Sequence, residues 1–175
     1  LENIYTVTSV SEKGESRSIF FPAGEYIIDA QSVYLPPNTH IFGEGKNRTV
    51  IRLTNGSLPF VVGTADSKYQ TGVQLGTSSA DLPNNILVKN LTISRDNDGD
   101  VVNFQRASNV NFEGVEIKGN WSSGTSSTRS VVFDPIGTLY THENIFFMNC
   151  IFSNSGFINN LNSESSNLKN IVFNN

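Results

Sequence analysis

The chain has 175 residues, 37% hydrophobic and 16% charged, a composition that fits one globular domain and excludes a disordered segment. Its formal net charge of −4, with no run of Lys or Arg, excludes the electrostatic footprint of a nucleic-acid or anionic-membrane binder. No apolar stretch approaches the roughly 18 residues of a bilayer span, and the single cysteine, Cys150, excludes an internal disulfide and a cysteine metal cluster.

In chain order, residues 1–17 form a leading segment with a strand candidate at Ile4 to Val10, ahead of one repetitive domain over 18–175. Ile19 to Ile28 reads as strand, Pro-Ala-Gly turn, strand. Val33 to Leu35, a bend at Pro36-Pro37-Asn38, Ile41 to Gly43, a turn at Gly45-Lys46-Asn47 and Val50 to Leu53 follow. From residue 85 one short motif recurs. Its copies are Asn85 to Ile93, Asn109 to Ile117, Asn144 to Phe152 and a truncated Asn170 to Asn175.

The copies start 24, 35 and 26 residues apart, the self-similarity that marks a solenoid. In each, the second, fourth, seventh and ninth positions are apolar or Cys, and the fifth and sixth break the alternation. Each copy is therefore expected to be two strands joined by a bend. Asn90, Gly114, Asn149 and Asn175 at the sixth position are types that enter positive φ cheaply, so the bend is expected to use the left-handed region there. Stacked at the strand spacing, these asparagines are expected to form a ladder. A third strand is expected at Val101 to Phe104, Ser130 to Phe133 and Gly156 to Ile158, which makes each turn of chain a three-strand rung. Three insertions interrupt the pattern: Gly63 to Asn84, Lys118 to Arg129 with the sole tryptophan Trp121, and Asp134 to Glu143. The chain opens at Leu1 and ends inside a motif copy, which points to a fragment whose β-helix is C-terminally incomplete.

Phe21, Pro22, Gly24 and Tyr26, then Leu35, Pro36, Asn38, Thr39, Ile41, Gly43 and Gly45, then Thr49, Val50 and Ile51 carry a resemblance to a known group. The segment is similar to the opening rungs of the pectate-lyase-like right-handed parallel β-helix superfamily, as found in phage tailspikes. The resemblance implies an all-β, single-stranded solenoid of about six or seven rungs. It also implies a virion (phage tail) or extracellular protein, a parallel homotrimer and a cell-surface polysaccharide as partner. The fold hosts several activities. The leading expectation is a tail adhesin. The alternative is a polysaccharide-degrading lyase or glycoside hydrolase, and a further alternative is a structural spacer. The Asn-Thr-Asp, Asp-Asp and Gly-His-Gly strings expected of polygalacturonases are absent.

Chemistry has to come from loops and outward positions, because the interior of such a solenoid is packed. The turn Arg95 to Asp100 and the Trp121 insertion leave the same corner one rung apart and are expected to be neighbours. An aromatic face beside carboxylates is a sugar-binding arrangement, which makes Trp121, Asp96, Asp98, Asp100 and Arg129 the candidate carbohydrate-binding residues. The plainer reading is a small cover and a solvated turn. Glycoside hydrolysis needs two carboxylates across a bond, and no catalytic residue is assigned; Asp98, Asp100 and Asp134 are the carboxylates considered, with Glu113 and Glu116 reading as surface. The Asp-Asn-Asp-Gly-Asp string looks like the start of a calcium loop, with Asp96, Asp98 and Asp100 as ligands, but lacks the helices and bidentate Glu of an EF-hand. An isolated acidic turn without a metal is the expectation. His40 and His142 form no triad pattern, and Cys150 reads as a buried thiol. Four sequons, at Asn47, Asn55, Asn90 and Asn120, are no more than the composition predicts by chance. Outward Leu87, Phe146 and Val172, with Met148 and Ile151, call for a cover supplied by another subunit or by more of the chain.

Overall fold

The computed structural model describes residues 16–175 apart from 36, 65–68, 71–72, 75–83, 105–106, 121–127, 134–139 and 161–165. The strands come in threes. The first rung is β1 (Arg17–Phe21), β2 (Gly24–Ile28) and β3 (Val33–Tyr34); the second is β4 (Thr39–Gly43), β5 (Thr49–Leu53) and β6 (Phe60–Thr64). A short antiparallel pair, β7 (Tyr69–Gln70) and β8 (Val73–Gln74), lies in the first insertion. The third rung is β9 (Asn84–Lys89), β10 (Thr92–Arg95) and β11 (Asp100–Phe104), and the fourth β12 (Ser108–Glu113), β13 (Glu116–Lys118) and β14 (Arg129–Phe133). The fifth is β15 (Tyr140–Met148), β16 (Ile151–Ser153) and β17 (Gly156–Asn160), and β18 (Ser166–Asn174) opens a sixth.

First strands of the rungs stack into sheet A (β1-β4-β9-β12-β15-β18), second strands into sheet B (β2-β5-β10-β13-β16) and third strands into sheet C (β3-β6-β11-β14-β17). Every pairing within these three sheets is parallel, so the molecule is a parallel β-helix. Among the described residues there are five complete rungs and one strand more, against the six or seven expected. The Ile4 to Val10 strand lies outside the described residues.

Register turns the repeat into columns. Ile86, Val110, Ile145 and Ile171 sit side by side in sheet A, and Ile51, Ile93, Ile117 and Phe152 in sheet B. Because side chains alternate along a strand, the second and fourth motif positions point inward, and the seventh and ninth do the same after the bend. Ile86, Val88, Leu91, Ile93, Val110, Phe112, Val115 and Ile117 are all buried. Aromatic rings extend one column: Phe147 stacks on Phe112 at 5.2 Å between ring centres and on Phe173 at 4.8 Å, with the latter pair almost parallel. Cys150 occupies its expected inward place as a buried thiol, pushed up in pKa mainly by burial.

The bend between sheets A and B uses positive φ at Asn90, Gly114 and Asn149 (56°, 62° and 53°), as expected. The ladder lies elsewhere. Gly114 interrupts the sixth-position column, and a Cβ there would stand 2.8 Å from Asn90 Oδ1. The side-chain ladder instead runs through the residue that opens each copy. Asn38, Asn85, Asn109, Asn144 and Asn170 all have φ between 53° and 59°. Asn85 donates to Asn38 Oδ1, Asn144 to Asn109 Oδ1 and Asn170 to Asn144 Oδ1, at 2.8–3.1 Å. Asparagine serves twice here, because its short amide tolerates the left-handed backbone and can bond the same amide one rung away.

Insertion boundaries also differ from expectation. Gly63 and Thr64 belong to β6, Lys118 to β13, Arg129 to β14, and 140–143 to β15. Gly63, expected to open an insertion, instead makes room for the neighbouring backbone and an aromatic ring. A Cβ at that position would collide with the Asn103 carbonyl of the next rung and lie 2.7 Å from the ring of Phe60, which itself meets Tyr34 edge-on. On the outer face of sheet A, Leu87, Phe146, Met148 and Val172 are half-buried, Asn111 interrupts their column, and Phe20 and Ile151 (on sheet B) are exposed.

Candidate functional site

Sheet B places two outward columns side by side. One is Glu25, Val50, Thr92, Glu116 and Ile151; the other is Ile27, Arg52, Ser94, Lys118 and Ser153. Between the bend from sheet A, where Asn47 stands, and the turns toward sheet C, where Asp96, Asn120 and Asn154 stand, these columns floor a groove of about 530 Å³. Its lining is carboxylate, guanidinium, ammonium, amide and hydroxyl, with Val50 the aliphatic member.

Arg52 organises the groove. Its Nε donates to both Asp96 oxygens at 2.8 and 2.9 Å, and its Nη1 donates to Glu25 Oε1 at 2.9 Å. Three rungs are thereby joined by one side chain, since Glu25, Arg52 and Asp96 belong to successive turns. The hydrogen bonds and charge of Asp96 and Glu25 raise the pKa of Arg52, which stays a cation throughout.

The wall of the groove is the acidic turn, shaped from behind by Arg95. This side chain is buried, and its guanidinium donates to the carbonyls of Asn97, Pro59, Asp100, Gly56 and Leu58 at 2.8–3.4 Å. Burial lowers its pKa, while the charges of Asp100 and Asp98 act in the opposite sense. Gly99 is required beside it: φ is 127°, and a Cβ would lie 2.5 Å from the guanidinium carbon. Sequence reasoning treated Arg95 as the edge of a loop. Strand alternation after Ile93 was the signal that it turns inward.

The three aspartates of the turn diverge. Asp96 faces Arg52 in the groove; Asp98 is exposed and accepts from Thr128 Oγ1 at 3.3 Å. Asp100 is buried, bonded to Arg129 Nε at 2.6 Å and to Asn103 Nδ2 at 3.0 Å. Among the described residues no three His, Cys, Asp or Glu side chains converge on a point that could hold a metal ion. Arg129, expected near the turn, is there as the ionic partner of Asp100. Trp121 and Asp134 lie outside the described residues. The two ends of the Trp121 insertion nevertheless rest on the turn as expected: Asn120 donates from Nδ2 to the Asp96 carbonyl, and Thr128 and Arg129 bond Asp98 and Asp100.

Glu113 pairs with Lys89 at 2.8 Å on the outer face of sheet A, and Glu116 accepts from Ser153 at 2.9 Å and Thr92 at 3.3 Å. Both are surface residues, as read from the sequence. His40 lies on the outside of β4 beside Phe42, whereas His142 is fully buried against Phe133, and burial pushes its imidazole down to about 4. The groove residues missed in sequence are Glu25, Arg52 and Lys118. Aligning the second strand of every rung, rather than the motif copies alone, would have put them on one face.

Three parallel sheets wound from successive strands, with a polar groove on one outer face, define a parallel β-helix protein. The chain belongs to the rhamnogalacturonase A/epimerase, pectate-lyase-like family, whose sequence model matches residues 4–175. Among solved structures it is similar to a protein from Parabacteroides merdae described as a "putative glycosyl hydrolase", with 13% identity and a TM-score of 0.39, over 98% of this chain and 89% of that one. No curated protein sequence matches.

Proposed function

We propose that this chain is the β-helix of a polysaccharide-acting enzyme, a lyase or glycoside hydrolase, that holds its glycan along the groove on sheet B. The observation that carries the reading is the groove itself: about 530 Å³ of stacked polar side chains on a rigid face, in a family named for rhamnogalacturonase and pectate lyase. Sugars present many hydroxyls and few charges, and carboxylates and amides on successive rungs offer them acceptors and donors. The Trp121 insertion, rooted at Asn120 and Thr128, is assigned the role of an aromatic cover for a bound sugar.

The family match favours this enzymatic reading over the tail adhesin that the tailspike resemblance implied. One observation favours the adhesin as a second reading: Asp96, Asp98 and Asp100 are each engaged by a protein partner. The deciding experiment incubates the protein with a panel of polysaccharides and measures new reducing ends and unsaturated sugars. Hydrolysis yields the first alone, and elimination yields both. Binding without either product, lost on Trp121→Ala, would support the adhesin. Neither binding nor product from folded protein would overturn both readings.

A further inference from the structure

The charges lining the groove nearly cancel, and most are already engaged. Arg52 is held between Glu25 and Asp96. Arg95, although it borders the groove, directs its guanidinium into carbonyls of its own turn and of the preceding rung. Lys118 is the lining cation that makes no ion pair among the described residues, and it faces outward from a chain of net charge −4. A carboxylate-bearing sugar entering here would gain one exposed ammonium. It would also lie against two carboxylates, with Arg52 unable to turn to it without releasing them.

A hydroxyl-bearing sugar meets the opposite situation. Glu25 uses one oxygen on Arg52, and its Oε2 has no hydrogen bond among the described residues. The side-chain amides of Asn47 and Asn154 carry none either, and each can both donate and accept. These groups stand on different rungs. The groove crosses β2, β5, β10 and β13, about 14 Å at the ~4.8 Å spacing of neighbouring strands, enough for a short oligosaccharide stretch lying along the helix axis. Exposed ion pairs of this kind contribute little to stability. Two carboxylates fixed by one guanidinium at the floor of a groove are better accounted for as oriented acceptors.

We propose that the groove binds a neutral, hydroxyl-rich glycan and discriminates against uronate-rich ones, with Glu25 and Asp96 as the oriented acceptors. This rests on the reading of the chain as polysaccharide-acting. The test is affinity electrophoresis of the protein in gels containing neutral polysaccharides (a galactan, a mannan, a glucan) or uronate-rich ones (polygalacturonate, alginate), at low and high salt. Retardation is expected with a neutral polymer and is expected to be insensitive to salt. Glu25→Gln with Asp96→Asn should lower the affinity at least roughly tenfold. Where the double variant fails to fold, Val50→Trp, which fills the groove from an outward strand position, should abolish retardation. Salt-sensitive binding of a uronate-rich polymer, lost on Lys118→Glu, would overturn the neutral assignment and leave the polysaccharide reading standing. Neutral binding unchanged in a folded groove variant would overturn the site. Retardation by neither class would overturn the broader reading as well.

Discussion

At the bend from sheet A to sheet B the chain turns the same way in the third, fourth and fifth rungs, with one residue at positive φ, at Asn90, Gly114 and Asn149. At the corner from sheet B to sheet C three rungs open alike, with Asn55, Asn97 and Asn120 each donating to a carbonyl of the preceding rung, and then diverge. One rung uses Arg95 and Gly99 to gather carbonyls from two turns of chain, while the next inserts the Trp121 segment and anchors its ends on its neighbour. The bend is stabilised by repetition, so each position resembles the one above it. Beyond that shared contact the corner is stabilised by side chains particular to one rung, Arg95 above all. Regularity thus belongs to the two faces nearest the A–B bend, and individuality to the corner that walls the groove.

That contrast is most severely tested by truncation inside a column. Phe147→Ala removes a ring stacked on two others and should cost ~3–5 kcal/mol in a urea melt; a loss below ~1 kcal/mol would mean that the column is not cooperative. Arg95→Ala strands five carbonyls at the corner and should cost about 3 kcal/mol, with Arg95→Lys recovering only part because an ammonium cannot span the fork. Full recovery by Lys would reduce the corner's special character to a charge.

His142 provides a pH test of the interior. Its pKa is about 4 in the folded chain against 6.5 for the free side chain, so between those values the unfolded chain binds the extra proton. Stability is complete above pH 6.5 and falls as pH drops toward 4, by up to about 3 kcal/mol from this group. His142→Leu, the residue type of its register partner Leu168, should flatten the wild-type decline over that window, and melting curves at several pH values measure the difference. An unchanged slope would remove His142 from the account.

The smallest effect distinguishes the two uses of asparagine. Asn144→Ala keeps a side chain at φ 56° and loses the ladder, at about 1–2 kcal/mol for the left-handed backbone alone. Asn144→Gly relieves φ and loses only the hydrogen bonds. Equal melting temperatures for the two variants would show that the backbone penalty is negligible.

Where sequence reading succeeded, it did so through local alternation. The inward positions, the A–B bend and the third strands follow from residue type and period within one rung. It misplaced the ladder because an Asn that opens each copy looks like a boundary, and only the neighbouring rung reveals its partner. β6 was missed because Gly63 opens the expected insertion until the Asn103 carbonyl and Phe60 are seen occupying the space beside it. The acidic turn and the root of the Trp121 segment were brought together by register, but the groove was not, because Glu25 and Asn154 are far apart in the chain. Arg52 and Lys118 look like ordinary solvated charges until second strands are stacked.

The acidic turn has the sequence look of a loop that would fold around a hard cation, and two of its carbonyl oxygens, with three from residues 56–59 of the preceding rung, do surround one. That cation is the guanidinium of Arg95, covalently part of the chain. A ligand of this kind cannot be removed by a chelator, does not exchange with the medium and keeps its charge over the pH range in which proteins work. The wall of the groove therefore has a fixed shape whatever the supply of metal ions around it, and Asn120 and Thr128, which bond to it, inherit that independence.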